Sequence, residues 1–106
     1  MIVILGTAHL GTTPGKRSPD GKFRECEYSR EIVKMIKEDL EKKGVTVVID
    51  YEPLEPNAKM KGTTAKQEQS KELTWRANFV NNLCSKYGTS NCIYVSIHVN
   101  AAGADG

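Results

Sequence analysis

Three short apolar runs alternate along this chain with two longer amphipathic segments, and that alternation is the strongest constraint on its fold. The runs cover residues 1–5, 45–49 and 93–100, and the amphipathic segments cover residues 24–43 and 70–87. β-Branched residues dominate the runs, as they do in strands, and apolar residues recur at helical spacing in the longer segments. Gly44 and Gly88 supply the two helix stops. The order β-α-β-α-β predicts an α/β fold with a parallel sheet and right-handed crossovers.

Two histidines lie at matching places, each at the C-terminal end of a predicted strand. His9 follows the first strand, and His98 ends the third. The strand C-termini of a parallel sheet meet at one edge, which is where sites form in such folds. A lone histidine at a strand end is more often a hydrogen-bonded structural residue. Two histidines at the same edge indicate a site instead.

The phase of the first helix selects Glu25 to join them. Glu25 lies three and seven residues before Tyr28 and Ile32, which places it on the inward stripe, whereas Glu27 lies on the solvent face. A buried carboxylate needs a cation, and a helix N-terminus supplies only part of that charge. Two neutral imidazoles and one carboxylate with an open fourth position make a catalytic zinc site. A partly solvated first-turn carboxylate stays open as the alternative for Glu25.

The second helix is predicted to turn an apolar stripe inward and to follow a polar surface loop. Its apolar positions are Leu73, Ala77, Val80, Leu83, Cys84 and Tyr87. Spacing alone favours solvated positions for Arg76 and Asn81, and a packing role under the long loop for Trp75. Thr64 and Gln67 also resemble a capping box, so an earlier start of this helix stays open.

Other reaction chemistries fit the residues less well. Gly6 and Gly11 have the spacing of a phosphate-binding loop, but Thr12 stands where the lysine is required. Ser96 lies inside a strand rather than in a G-x-S-x-G turn. As cysteine nucleophiles, Cys84 and Cys92 flank a turn away from the predicted edge, and the sequence does not require a histidine partner for Cys26. Cys84 and Cys92 could bridge the second helix to the third strand, or they could remain free thiols.

Composition limits the class of protein and its partners. With 106 residues, 39% of them hydrophobic, the chain is predicted to be a single soluble globular domain. Lysines and arginines are mixed with acids, as in residues 34–39, so no basic stripe marks a nucleic-acid site. No run approaches the roughly 20 apolar residues of a membrane span. The apolar start is too short for a signal peptide, so no export signal is expected.

Four motifs, in the right order along nearly the whole chain, resemble those of the zinc-dependent N-acetylmuramoyl-L-alanine amidases. They are G-T-A-H after the first strand, G-K-R-S-P-D-G-K-F-R-E-C-E-Y-S-R-E-I-V leading into the first helix, L-T-W-R-A-N-F-V-N in the second, and V-S-I-H-V-N-A-A-G at the third strand. These enzymes, which occur as autolysins and phage endolysins, cleave the amide between the lactyl group of N-acetylmuramic acid and L-alanine in peptidoglycan. The resemblance implies a three-layer sandwich around a mostly parallel twisted sheet.

The resemblance also implies roles for particular residues. The zinc ligands carry over to His9, Glu25 and His98, and the choice of glutamate agrees with the helical phase. Arg76 and Asn81 match residues that are structural or support the site, and Asn100 is expected to line the cleft. The implied cofactor is Zn²⁺, and the implied partner is a peptidoglycan or muropeptide substrate at the cell wall. Without an export signal, the chain would be a released endolysin or one that has lost its signal.

Two departures from the family pattern shape the expectation. The family's second strand commonly ends in L-T-R, where this chain has Ile49, Asp50 and Tyr51, so a substrate-side arginine is missing. The catalytic glutamate of the family lies further along than Gly106, and Glu52 is the best geometric substitute within the chain. Residues 1–106 are therefore expected to be the N-terminal portion of one amidase domain, inactive without its C-terminal part. The alternatives are a non-catalytic zinc or cell-wall-binding module and another zinc peptidase of similar fold.

Overall fold

The α/β fold is confirmed in the computed structural model of the chain, which describes residues 1–11 and 25–98. Its elements, in chain order, are β1 (Ile2–Gly6), α1 (Glu25–Lys42), β2 (Thr46–Ile49), α2 (Ala65–Tyr87), a short 3₁₀ helix (Thr89–Asn91) and β3 (Cys92–Ser96). All three strands are parallel, in the order β2-β1-β3. Neither helix of the described ranges is long and apolar enough to cross a membrane.

The two helices pack on opposite faces of the sheet and so form three layers. On the α1 face, Leu5, Val33 and Val47 make the buried core, and Ile97 packs against it. On the α2 face, Tyr94 lies opposite Ile4 in the register of β3 with β1 and faces α2 across a groove. This alternation follows from the period of two along a strand. It also places Tyr94, Ser96 and His98 on one side, as the sequence predicted.

The buried stripe of α1 differs from the predicted one. Glu25 is buried as expected, but Tyr28 and Met35 are exposed, Met35 by 61%. Besides Glu25, the buried residues are Cys26, Ser29, Arg30 and Val33. Two of these four, Ser29 and Arg30, are polar, and most of their hydrogen-bond partners are backbone groups in the segments that follow the strands. The spacing of apolar residues does not reveal buried polar residues. The predicted inward face of α1 was therefore wrong at Tyr28 and Met35.

The start and the phase of α2 also correct the prediction. The helix begins at Ala65, five residues before the predicted start, because the Thr64 side chain accepts a hydrogen bond from the Gln67 amide. The earlier start that the capping pattern left open is therefore the right one. Leu73 on the predicted inward stripe is 58% exposed, whereas Glu72 and Arg76 are the buried residues of α2.

A second, smaller cluster holds the loop between β2 and α2. Leu10, Tyr51 and Met60 are buried in it, and Trp75 packs against them. The indole meets the Tyr51 ring edge-on, with ring centroids 5.2 Å apart. Trp75 therefore has the packing role beneath the long loop that its position off the apolar stripe predicted.

Candidate metal centre

Three side chains from separate elements meet at the C-terminal edge of the sheet. His9 follows β1, Glu25 opens α1, and His98 follows β3. One nitrogen or oxygen of each lies within 4.8 Å of those of the other two. The convergence predicted from the order of strands and helices is present in the structure.

Glu25 lies between the two imidazoles. Its Oε1 is 3.1 Å from His9 Nε2, and its Oε2 is 3.3 Å from His98 Nδ1. The two rings stand edge to face, with centroids 5.2 Å apart. Glu25 is only 4% exposed, so its carboxyl group depends on neighbouring groups rather than on water for polar contacts.

These residues fit a zinc ion in spacing and in chemistry. Bonds of about 2.0–2.2 Å in a tetrahedron hold ligand atoms roughly 3.3–3.6 Å apart. Each imidazole lies at about that distance from one of the two Glu25 oxygens, and one ligand atom of each residue lies within 4.8 Å of the others. Two imidazoles and a carboxylate form a donor set found in catalytic zinc sites, where the fourth position stays open. The His98 side chain is 49% exposed, so the cluster is accessible from that side.

Ser29 ties the two histidine-bearing segments together from α1. Its buried hydroxyl accepts a hydrogen bond from the Ala8 amide at 3.0 Å and donates one to the Ile97 carbonyl at 2.6 Å. Ala8 and Ile97 each directly precede one of the histidines. The spacing between His9 and His98 is thus fixed by one side chain a turn after Glu25.

A buried network of charges lies beneath the cluster on the α2 side. Asp50 accepts hydrogen bonds from the Thr7 amide (3.0 Å), from Arg76 Nη1 (2.8 Å) and from the Tyr94 hydroxyl (2.9 Å). Arg76 Nε also donates to Glu72 Oε1 at 2.6 Å. The network joins the C-terminal ends of β1 and β2 and the middle of β3 to α2.

The charges in this network shift the pKa values of two members. Burial lowers the pKa of Arg76, but the carboxylates of Asp50 and Glu72 more than offset that effect, so its pKa lies above its ordinary value. Burial and the charge of Asp50 raise the pKa of Tyr94 to about 12, so its hydroxyl remains a donor at neutral pH.

A groove of about 410 Å³ lies between α2 and β3, and two members of the cluster, His9 and His98, help to line it. Leu73, Val80 and Tyr94 also line the groove. Glu72 also borders the groove, and its buried Oε2 has no hydrogen-bond partner among the described residues. The cluster therefore faces a largely apolar cleft rather than open solvent alone.

The other predicted site residues differ in burial and in their distance from the cluster. Arg76 is buried in the network, so the solvated position that spacing favoured was wrong, and Asn81 is exposed along the groove. Asn100 lies outside the described residues. Within residues 1–11 and 25–98, Glu52 is exposed and is not part of the group of His9, Glu25 and His98 that could hold a metal ion.

Sequence reasoning missed the polar residues that support the cluster, above all Ser29, Arg30 and Asp50. Ser29 lies four residues after Glu25, so helical spacing from the acid was the available signal for it. Arg30 lies five residues after Glu25, which that spacing does not mark. No signal marked Asp50 beyond its place at the end of β2. Cys84 and Cys92 are free thiols in the structure, which answers the question that the sequence left open.

Comparison with known proteins identifies the family of the chain. The sequence matches the N-acetylmuramoyl-L-alanine amidase family over residues 3–106. A search of curated proteins and a search of solved structures each gave no match. The family match covers nearly the whole chain and confirms the resemblance carried by its motifs. The chain belongs to the N-acetylmuramoyl-L-alanine amidase family.

Proposed function

We propose that this chain carries the zinc site of an enzyme that hydrolyses the amide between the lactyl group of N-acetylmuramic acid and L-alanine in peptidoglycan. Family membership supports a peptidoglycan amidase in general. The observation that carries the zinc site is the position of Glu25 between His9 and His98 at the strand ends. The proposed place of action is the cell wall.

Each residue of the cluster has a distinct role in this proposal. His9, Glu25 and His98 hold the metal, and a zinc ion bound there supplies a Lewis acid and a water of lowered pKa. Glu25 contributes the one negative charge and leaves the site with a net positive charge when zinc is present. His98 forms the exposed side, through which an amide carbonyl can approach.

The groove beside the cluster is the proposed substrate cleft. Its walls at Leu73, Val80 and the Tyr94 ring suit the apolar parts of a lactyl-peptide, and Asn81 offers an amide for hydrogen bonding. Asn100 remains a predicted cleft residue. The general base is still predicted, from the family resemblance alone, to be a glutamate beyond Gly106.

The metal site is tested by the zinc content of purified protein. We expect the wild type to retain zinc, and His9→Ala, His98→Ala and Glu25→Gln to lose it. Glu27→Gln is the matched control, because Glu27 is an exposed acid in the same first turn of α1. A wild type that stays metal-free in zinc-replete buffer would rule out the site.

The reaction is tested on the full gene product with muropeptides as substrate. Release of stem peptides that begin with L-alanine is the expected result, and it should depend on His98. Zinc binding without such release would favour a wall-binding module. Cleavage of ordinary peptide bonds in preference to the lactyl amide would favour a zinc peptidase.

A further inference from the structure

His9 has an unusual backbone conformation for a residue in a metal centre. Its φ is +50°, and it is the only non-glycine residue with positive φ in residues 1–11 and 25–98. A residue with a Cβ adopts this left-handed region at an energetic cost, so neighbouring groups must hold it there. The direction of the imidazole depends on that backbone turn.

Arg30 holds this turn through its guanidinium group. Nη2 donates to the His9 carbonyl at 2.9 Å, and Nη1 donates to the Ala8 carbonyl at 2.9 Å. A second, longer hydrogen bond to the His9 carbonyl, 3.3 Å, comes from Arg76. The two carbonyls on either side of the His9 φ angle are therefore both fixed by Arg30.

The remaining donors of Arg30 tie the same group to two other segments. Nη1 also donates to the Cys26 carbonyl at 2.9 Å, Nε donates to Glu52 at 2.8 Å, and Nη2 donates to Pro53 at 2.9 Å. All five N–H groups of the guanidinium are thus used, every one on a backbone carbonyl. Cys26 adjoins Glu25, so one side chain joins the backbones beside two members of the cluster.

The environment indicates that this arrangement is specific to arginine. Arg30 is only 7% exposed. Burial, and after it the charge of Arg76, lower the pKa of Arg30. The ordinary pKa of arginine is so high that the group stays protonated. Its polar partners among the described residues are all carbonyls. A lysine has three donors from one nitrogen and cannot reach five carbonyls on three segments.

We propose that Arg30 is a positioning residue of the metal centre: it keeps His9 in the left-handed conformation that directs its imidazole to Glu25. The inference rests on the proposed metal site and goes beyond it, because Arg30 itself touches neither metal nor substrate. It also predicts a separation of effects. Loss of Arg30 should weaken metal binding more than its cost in stability explains.

The test measures Co²⁺, a visible substitute for Zn²⁺, in the full gene product. Arg30→Met and Arg30→Lys are compared with Val33→Ala, which truncates a buried apolar residue of the same helix, packed in the core with Leu5 and Val47. The readouts are Co²⁺ affinity, the Co²⁺ visible spectrum and the melting temperature without metal. We expect Arg30→Met to lose about 10–100-fold in affinity, as residues that orient metal ligands do, and Arg30→Lys to recover only part of it.

The control and the outcomes decide the inference. Val33→Ala should lower the melting temperature and leave the affinity and the spectrum unchanged. If Arg30→Met does not fold, Arg30→Lys carries the test, because it retains the charge. Two outcomes would overturn the positioning role alone. One is a folded Arg30 variant that binds Co²⁺ with the affinity of the wild type. The other is a loss of Co²⁺ affinity in Val33→Ala that follows its fall in melting temperature, as in the Arg30 variants. A wild type without Co²⁺ or Zn²⁺ binding would overturn the proposed metal site, and the positioning role with it.

Discussion

Gly6 is the residue at which a missing side chain matters most, because the Tyr94 ring crosses over it. A Cβ at Gly6 would lie 2.8 Å from Tyr94 Cζ and closer still to the hydroxyl oxygen. Gly6→Ala should therefore displace the ring and weaken its hydrogen bond to Asp50. We expect a loss of about 1–3 kcal/mol in the free energy of unfolding, measured by urea denaturation.

Gly6→Ala in a Tyr94→Ala background tests whether the clash with the Tyr94 ring causes the loss of stability. Without the ring, Ala at position 6 has no aromatic atoms to meet, so its cost should largely disappear. An equal cost in both backgrounds would show that the strand itself, and not the ring, excludes a side chain at Gly6.

Tyr94 should also give the protein a pH dependence in the alkaline range. Its pKa is about 12 in the folded chain, against an ordinary value of 10.0, because of burial and the charge of Asp50. The folded state then holds its proton where the unfolded state has lost it, so stability falls as pH rises from about 10 to about 12. The contribution is fully present below pH 10.

Tyr94→Phe removes this titration and retains the ring. The difference in unfolding free energy between wild type and variant should shrink as pH rises through this window, when both are measured by urea denaturation at each pH. A difference that stays constant from pH 9 to the highest accessible pH would contradict the assignment.

At the scale of elements, the helix ends were more predictable than the helix faces. Gly44 and Gly88 end the helices with φ values of +83° and +92°, and the Thr64 cap was visible in the sequence. Which face of a helix is buried depends on the segments that pack against it. Glu72 and Arg76 are buried on α2 as an ion pair, in which each charge neutralises the other. The pattern of apolar residues along a helix does not show such a pair.

The Thr64 cap supplies the prediction that belongs to this scale. Thr64→Ala removes the acceptor of the Gln67 amide and should cost about 1 kcal/mol in unfolding free energy. Thr64→Ser retains an acceptor and should cost little. The measurement is thermal or urea unfolding followed by circular dichroism. Equal stability of the Ala and Ser variants would show that the first turn of α2 does not contribute to global stability.

At the scale of the whole molecule, the cluster of His9, Glu25 and His98 joins α1 to two strands of the sheet. Its members follow β1, open α1 and follow β3, so a bound ion would cross-link segments that are distant in the chain. Because such a site does not exist in the unfolded chain, zinc should raise the melting temperature. At a zinc concentration 100 times the dissociation constant, the gain is about 2.7 kcal/mol.

Calorimetry or fluorescence melting with zinc and with a chelator measures this effect. Glu25→Gln should melt at the same temperature in both conditions, whereas Glu27→Gln should respond as the wild type does. A wild-type melting temperature that is indifferent to both zinc and chelator would contradict a formed site.

The sequence by itself determined the order of elements, the parallel sheet and the convergence of His9, Glu25 and His98 on one edge. These follow from chain-local patterns combined with the rule that parallel strands end together. It also carried the family motifs, which the family match confirms.

Only the tertiary structure decided which polar groups are buried and what they hold. The five carbonyls around Arg30 come from three segments, and the partners of Asp50 come from β3, α2 and the end of β1. Burial of a polar group is favourable only where distant partners satisfy it, so its position cannot be read from local periodicity. The left-handed turn at His9 is of the same kind, because the side chain that donates to its carbonyl comes from α1, 21 residues further along the chain.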